Sequence, residues 1–176
     1  MNKEEQENVQ LVVAGVWSPA EVTYYGPHTR NIAFWGPVSY ESSLPVISQL
    51  VTLNDISKKE PIYLHLNTEG GSLTDAYAIY DTIKSISAPV VTVATGMCAS
   101  AGLTLLTAGD YKMATKNTIF FYHQAILDAP VFTSLEASSA TAEAYEMCHS
   151  LYDTTLKENT RMSEKDWDLN FDKRTV

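Results

Sequence analysis

Residues 61–85 read PIYLHLNTEGGSLTDAYAIYDTIKS. Ile62, Leu64 and Leu66 alternate with Tyr63, His65 and Asn67, the two-residue period of a strand whose faces differ. Gly70-Gly71 interrupts the pattern. Ser72 then offers its hydroxyl as a helix cap, with Asp75 three residues on as a short capping-box partner. From there Leu73, Ala76, Tyr77, Tyr80 and Ile83 fall on one side at the helical period. Strand, glycine turn and helix make half of a crossover unit, so the strand that follows is expected parallel to the first in one sheet.

The flanks repeat the theme. On the C-terminal side Pro89 opens an apolar, β-branched strand at 90–95, which Gly96 ends, and a helix is expected from Ser100 toward Ala108. Residues 118–122 read as a further strand, closed by His123. A long helix is expected from about Ser134 to about Arg161, and Ser163 reads as the cap of a last short helix beginning at Glu164. On the N-terminal side, 31–35 is a strand that stops at Gly36-Pro37. Ser42 and Ser43 offer caps to a helix with Pro45 in its first turn and Leu44, Ile47, Leu50 and Val51 on its apolar face. The first thirty residues are weakly patterned, with a short strand at 22–25. Strands alternating with helices predict an α/β fold with a mostly parallel sheet.

The 176 residues, 45% of them hydrophobic, suffice for one globular domain with its own core. A formal net charge of -9 argues against a nucleic-acid-binding surface, which needs clustered Lys and Arg, and fits simple solubility. Cys98 and Cys148 match no zinc spacing and read as free thiols in a reducing compartment; no metal or other cofactor is expected. His149 beside Cys148 points elsewhere on a helix, so the two make no metal pair. The apolar run at 9–17 is short and follows Glu4, Glu5 and Glu7, so it reads neither as a signal peptide nor as a membrane span.

In α/β sheets ligands gather beyond the carboxyl ends of the strands. Here those ends carry Gly70-Gly71, Ser100 and His123. Ser100 sits among small residues, Gly96-Met97-Cys98-Ala99-Ser100-Ala101-Gly102, at a strand-to-helix turn. Such a turn lets a substrate backbone approach, and a helix N-terminus favours a developing oxyanion. A serine hydroxyl needs a base, and imidazole is the usual one near neutral pH. Of the four histidines, His28 lies in the weakly patterned segment, His65 inside a strand and His149 in mid-helix; His123 alone ends a strand and opens a loop. Gly70 and Gly71 reach backbone angles that aim an N–H at an oxyanion. Taken singly, each feature has an ordinary explanation: a helix cap, a hydrogen-bonded core histidine, a plain turn.

Taken together they resemble the proteolytic subunit of the Clp protease family. The resemblance is carried by Asn67-Thr68-Glu69-Gly70-Gly71-Ser72, by Ala78-Ile79-Tyr80-Asp81-Thr82-Ile83, by the Ser100 segment continued as Leu105-Leu106-Thr107-Ala108-Gly109, and by His123-Gln124. It runs from about Asn31 to the chain end. It implies a Clp/crotonase-like α/β fold of repeated β-β-α units, with a mostly parallel sheet and a protruding handle helix. Residues 1–30 would be an N-terminal segment, an axial loop or strand, and 31–176 the catalytic domain, with the handle at about 124–161. It also implies Ser100 as nucleophile, His123 as general base, and an oxyanion and substrate-binding site at Gly70, Gly71 and Ala101, with the N–H groups of Gly71 and Ala101 as donors. Extended peptide would lie along Gly71-Ser72-Leu73 and the residues just after His123. The implied partners are further copies of the chain in two stacked heptameric rings, an AAA+ unfoldase ATPase and unfolded polypeptide. Nucleic acid and membrane are not among them, and the implied setting is the cytoplasm or an organelle or plastid interior.

The chain departs from the family at several positions. Thr68-Glu69 stands where Ser-Pro is usual, Ala125 where Pro follows His-Gln, Lys116 where a proline is frequent, and His65 where tyrosine is frequent near the ATPase-docking pocket. The third triad member falls nearest Asp172, with Asp168 and Asp166 as alternatives, and the family continues beyond the position matched by Val176. The resemblance thus implies a serine endopeptidase acting through an acyl-enzyme. A catalytically impaired ring subunit and a crotonase-type acyl-CoA enzyme are the alternatives.

Overall fold

The computed structural model describes residues 13–14, 29–123, 135–161 and 163. By compactness the chain divides into two units, Met1–Phe121 and Tyr122–Val176. The expected strand at 22–25, the helix after Ser163, Gln124, and the aspartates Asp166, Asp168 and Asp172 lie outside the described residues.

The first unit is a parallel sheet of β1 (Val13–Ala14), β2 (Asn31–Trp35), β3 (Ile62–Thr68), β4 (Val90–Ala99), β5 (Tyr111–Ala114) and β6 (Ile119–Phe121), with helices α1 (Tyr40–Ile56), α2 (Leu73–Ser85) and α3 (Ala101–Ala108) in the crossovers. The strands follow one another in the order β1-β2-β3-β4-β5, and β6 also pairs with β4. The expected alternation holds in β3. Ile62, Leu64 and Leu66 are fully buried, and they pack with Ile32 and Phe34 of β2 against Val46 and Leu50 of α1, Ala76, Ile79 and Ile83 of α2, and Ala101, Leu105 and Ala108 of α3. One helical layer therefore covers one face of the sheet, as right-handed crossovers between strands added in one direction produce. On the other face His65 Nε2 meets Asn31 Oδ1 at 2.9 Å.

Two expectations about α1 are corrected. Its cap is Ser39, not Ser42 or Ser43: Ser39 Oγ accepts from the Ser42 N–H (3.4 Å), and the Ser39 N–H donates to Ser42 Oγ (2.9 Å). Pro45 accordingly lies inside the helix, beyond its first turn. The buried face carries Ser42, Ser43, Val46 and Leu50, whereas Leu44 and Val51 are exposed at 54% and 44%. Small serines let the first turn approach the sheet, so they take inward positions that hydropathy assigns to leucine.

A third correction concerns β4, which does not stop at Gly96 but runs through it to Ala99. Val91–Ala94 pair with β5 and Met97–Ala99 with β6. Between these two stretches Gly96 adopts φ 66, a left-handed angle that glycine takes without strain, and the register against β3 shifts between Leu66 and Thr68. The neighbouring chain makes a matching step. The Thr115 N–H and the Thr118 hydroxyl both donate to Ala94 O (3.0 and 2.9 Å), turning the chain between β5 and β6. β5 itself was not anticipated; all four of its residues are exposed on the sheet edge.

The second unit is described by α4 (Leu135–Asn159), which matches the expected long helix, together with Tyr122, His123 and the residues just after α4. Tyr122 stacks on Tyr152 with ring centroids 5.5 Å apart, and Tyr152 is 1% exposed.

Candidate active site

The end of β4 delivers Ser100 into the turn before α3. Its backbone stands at φ 51, ψ -125, and among the described residues it is the one non-glycine with positive φ. That conformation costs on the order of 1–3 kcal/mol and persists only where surrounding bonds enforce it. They are present: the Ser100 N–H donates to Phe121 O of β6 (2.8 Å), and Ser100 O accepts from the Leu103 N–H (2.9 Å). The Ser100 side chain makes no cap hydrogen bond to α3, so the plain helix-cap explanation is not the one realised. A serine in a strained strand-to-helix turn is the backbone arrangement that a nucleophile elbow also uses.

Gly70 lies directly against this turn. A methyl group there would come within 2.6 Å of Ser100 Cβ, 2.7 Å of Ala99 O and 3.0 Å of Ala101 N. At φ 99 the position is closed to ordinary residues in any case. The bare Cα of Gly70 thus leaves room beside the first N–H of α3, one of the helix donors without an intrahelical partner. Gly70 is not itself a free donor: its N–H donates to Thr68 Oγ1 (3.0 Å), and its carbonyl accepts from the Val38 N–H (2.8 Å). Of the two glycines, Gly70 therefore supplies space and not a donor.

Gly71 pairs with Val38 as a parallel bridge, the Ser72 N–H donating to Val38 O (2.9 Å). Because Val38 is engaged by Gly70 and Ser72, alternation along an extended segment turns the Gly71 N–H and C=O to the opposite, exposed side. That is an edge on which another extended chain can pair. Ser72 Oγ accepts from the Asp75 N–H (3.3 Å), capping α2 as expected.

Three contributors escaped the sequence reading. Thr68 fixes the Gly70 N–H and is 1% exposed. Asn67 Oδ1 accepts from the Met97 N–H (3.0 Å), replacing the backbone partner lost at the Gly96 step. The third is a carbonyl, that of Phe121, which no side-chain pattern reveals. Cys98, two residues before Ser100, is no rival nucleophile. Its thiol is buried, donates to Gly102 O (3.2 Å), and is pushed up by burial to about 12. His123 is half-buried and belongs to the second unit, two residues along the chain from the Phe121 carbonyl that holds Ser100. Among the described residues no group of His, Cys, Asp and Glu is suited to a metal ion, and no helix is long and apolar enough to cross a membrane.

Comparison with known proteins gives a consistent neighbourhood. The family model Clp protease matches residues 23–175. ATP-dependent Clp protease proteolytic subunit 2 of Treponema pallidum is 33% identical over 100 residues, 56% of this chain and 50% of the relative. The subunit of that name from Prochlorococcus marinus is 33% identical over 135 residues, 72% of this chain and 66% of the relative. ATP-dependent Clp protease proteolytic subunit 1 of Chlamydia muridarum is 39% identical over 98 residues, 54% of this chain and 51% of the relative. The chain thus spans between 50% and 66% of the length of these relatives.

Proposed function

The chain belongs to the Clp protease family, and from that premise we propose that it is a serine endopeptidase subunit that cleaves peptide bonds of unfolded polypeptides through an acyl-enzyme. The observation that carries the reading is the Ser100 turn at φ 51, held by Phe121 and set against the bare Cα of Gly70. Ser100 Oγ attacks the scissile carbonyl while His123 takes its proton. The oxyanion is held by the N–H groups of Gly71 and Ala101, and His123 returns the proton to the leaving amine. Water, activated by the same imidazole, then releases the acyl group and restores Ser100. Asp172, or in its place Asp168 or Asp166, orients His123. Extended substrate lies along Gly71-Ser72-Leu73 and the residues just after His123, with the Gly71 N–H reserved for the oxyanion.

The same reading makes α4 the handle that joins two stacked heptameric rings, with an AAA+ unfoldase feeding polypeptide to the enclosed sites in the cytoplasm. Three of the relatives are named as ATP-dependent proteolytic subunits, which supports that partnership. Family membership also separates the chain from the crotonase-type acyl-CoA alternative. The test is intact-mass analysis after treatment with a fluorophosphonate, on wild type and on Ser100→Ala. One adduct on wild type and none on the variant is expected. An unlabelled but folded and assembled wild type would transfer the reading to an impaired ring subunit.

A further inference from the structure

Tyr122 stands between the strand that fixes Ser100 and the residue proposed as its base. Its phenol hydroxyl donates to Asp153 Oδ1 of α4 at 2.7 Å, and its ring lies nearly parallel to that of the buried Tyr152, 6° apart. The side chain is therefore held at both its face and its tip, by two consecutive residues of one helix. The other oxygen of the Asp153 carboxylate faces His149. Oδ2 lies 3.7 Å from His149 Nε2, one helical turn back, and the His149 ring stacks on Tyr145 with centroids 6.2 Å apart.

Adjacent Cα atoms are about 3.8 Å apart across a trans peptide, so clamping Tyr122 restricts the backbone from which the His123 imidazole projects. A general base must stand within hydrogen-bond reach of the proton it takes, and a misplacement of about 1 Å can lower a rate by about a hundredfold. From this geometry we infer that Tyr122 and Asp153 are positioning residues for His123, acting as one hydrogen-bonded unit that ties the base-bearing segment to α4. The inference rests on the reading of His123 as general base.

The experiment uses the assembled full chain and the variants Tyr122→Phe, Asp153→Ala, Asp153→Asn and the Tyr122→Phe/Asp153→Ala double. Tyr122→Phe removes one hydroxyl and keeps the stacked ring. Its acylation rate by fluorophosphonate and its kcat for a short peptide should fall about tenfold, with KM within about twofold of wild type. Asp153→Ala should match it, and the double variant should be no worse than the poorer single, because the two act as a unit. Asp153→Asn, which still accepts the phenol proton, should recover most of the rate. A damaged fold alone would not produce that rescue. Wild-type kinetics in Tyr122→Phe, or losses that multiply in the double variant, overturn the inference. Hydrogen exchange of the segment 119–125 keeps the two readings distinct. If wild type takes no adduct, the proposed function fails on its own; faster exchange at 119–125 in Tyr122→Phe then still supports the clamp, and unchanged exchange still overturns it.

Discussion

At the scale of single residues, Gly70 is the position where one atom has the largest effect. Gly70→Ala puts a methyl 2.6 Å from Ser100 Cβ and 2.7 Å from a backbone carbonyl, at a φ of 99. Neither neighbour is a flexible side-chain tip, so the turn must move. Acylation of Ser100 should fall at least about a hundredfold, and stability by about 1–3 kcal/mol, in fluorophosphonate kinetics and urea unfolding. His65 illustrates a slower control. Burial lowers its pKa below the ordinary histidine value while Nε2 is engaged by Asn31. As pH falls through about 6.5 the unfolded chain takes up that proton before the folded one does, so the contribution of His65 to stability is complete above this range and lost below it. The urea midpoint of wild type should drop between pH 7.5 and pH 5, and His65→Gln should flatten that part of the slope; an unchanged slope would exclude His65 as its source.

At the scale of elements, the placement of Ser100 depends on β4 changing partner midway. Asn67 makes this possible by lending its side-chain oxygen to the Met97 N–H where the backbone ladder is broken. Asn67→Ala removes the acceptor of a solvent-exposed donor, at a cost of about 0.5–1.5 kcal/mol. Asn67→Asp, which keeps an acceptor, should lie closer to wild type in thermal unfolding; equal losses in both would show that the bond is not the cause. This element also marks where legibility in the sequence ends. β3, the glycine turn and α2 could be read because alternation, cap and helical period agree there; of the expected stripe on α2, Ala76 and Ile83 are buried, Ile79 joins them, and Leu73, Tyr77 and Tyr80 are only partly buried. Gly96 was read as a terminator because a glycine inside a strand looks the same as one after it; only the partner strands distinguish the two. β5 stayed hidden because it is only four residues long and wholly exposed, too short for the alternation of Tyr111 and Met113 to stand out. The face of α1 was misphased because Ser42 and Ser43 are buried as small packing residues while Leu44 and Val51 face outward. At the site, the strand-to-helix turn at Ser100 was legible from its small neighbours, but its φ of 51 was not, since the turn is held by a carbonyl twenty-one residues away.

At the scale of the whole molecule, exposed apolar surface bears on assembly. On α4 Met147 and Leu151 are 74% and 50% exposed and lie one helical turn apart, beside Glu146, Ser150 and Thr154. Apolar side chains on an otherwise polar helix suit a surface covered by another chain. If α4 is the handle of a double ring, Met147→Glu should halve the assembled mass in native mass spectrometry while leaving each ring intact; an undivided double ring would remove this stripe from the contact. The paired step of β4 at Gly96 and of its neighbour at 115–118 has a bearing on how such a chain can vary. Polar surface turns are usually where a lineage gains or loses residues and where a protein engineer threads a tag. This one sets the register of β6, whose last carbonyl holds the Ser100 turn. One added residue would turn every side chain of β6 to the other face. A length change in an unremarkable loop would then silence the site with all its chemical groups still encoded, so residues 115–118 are a poor place for an insertion.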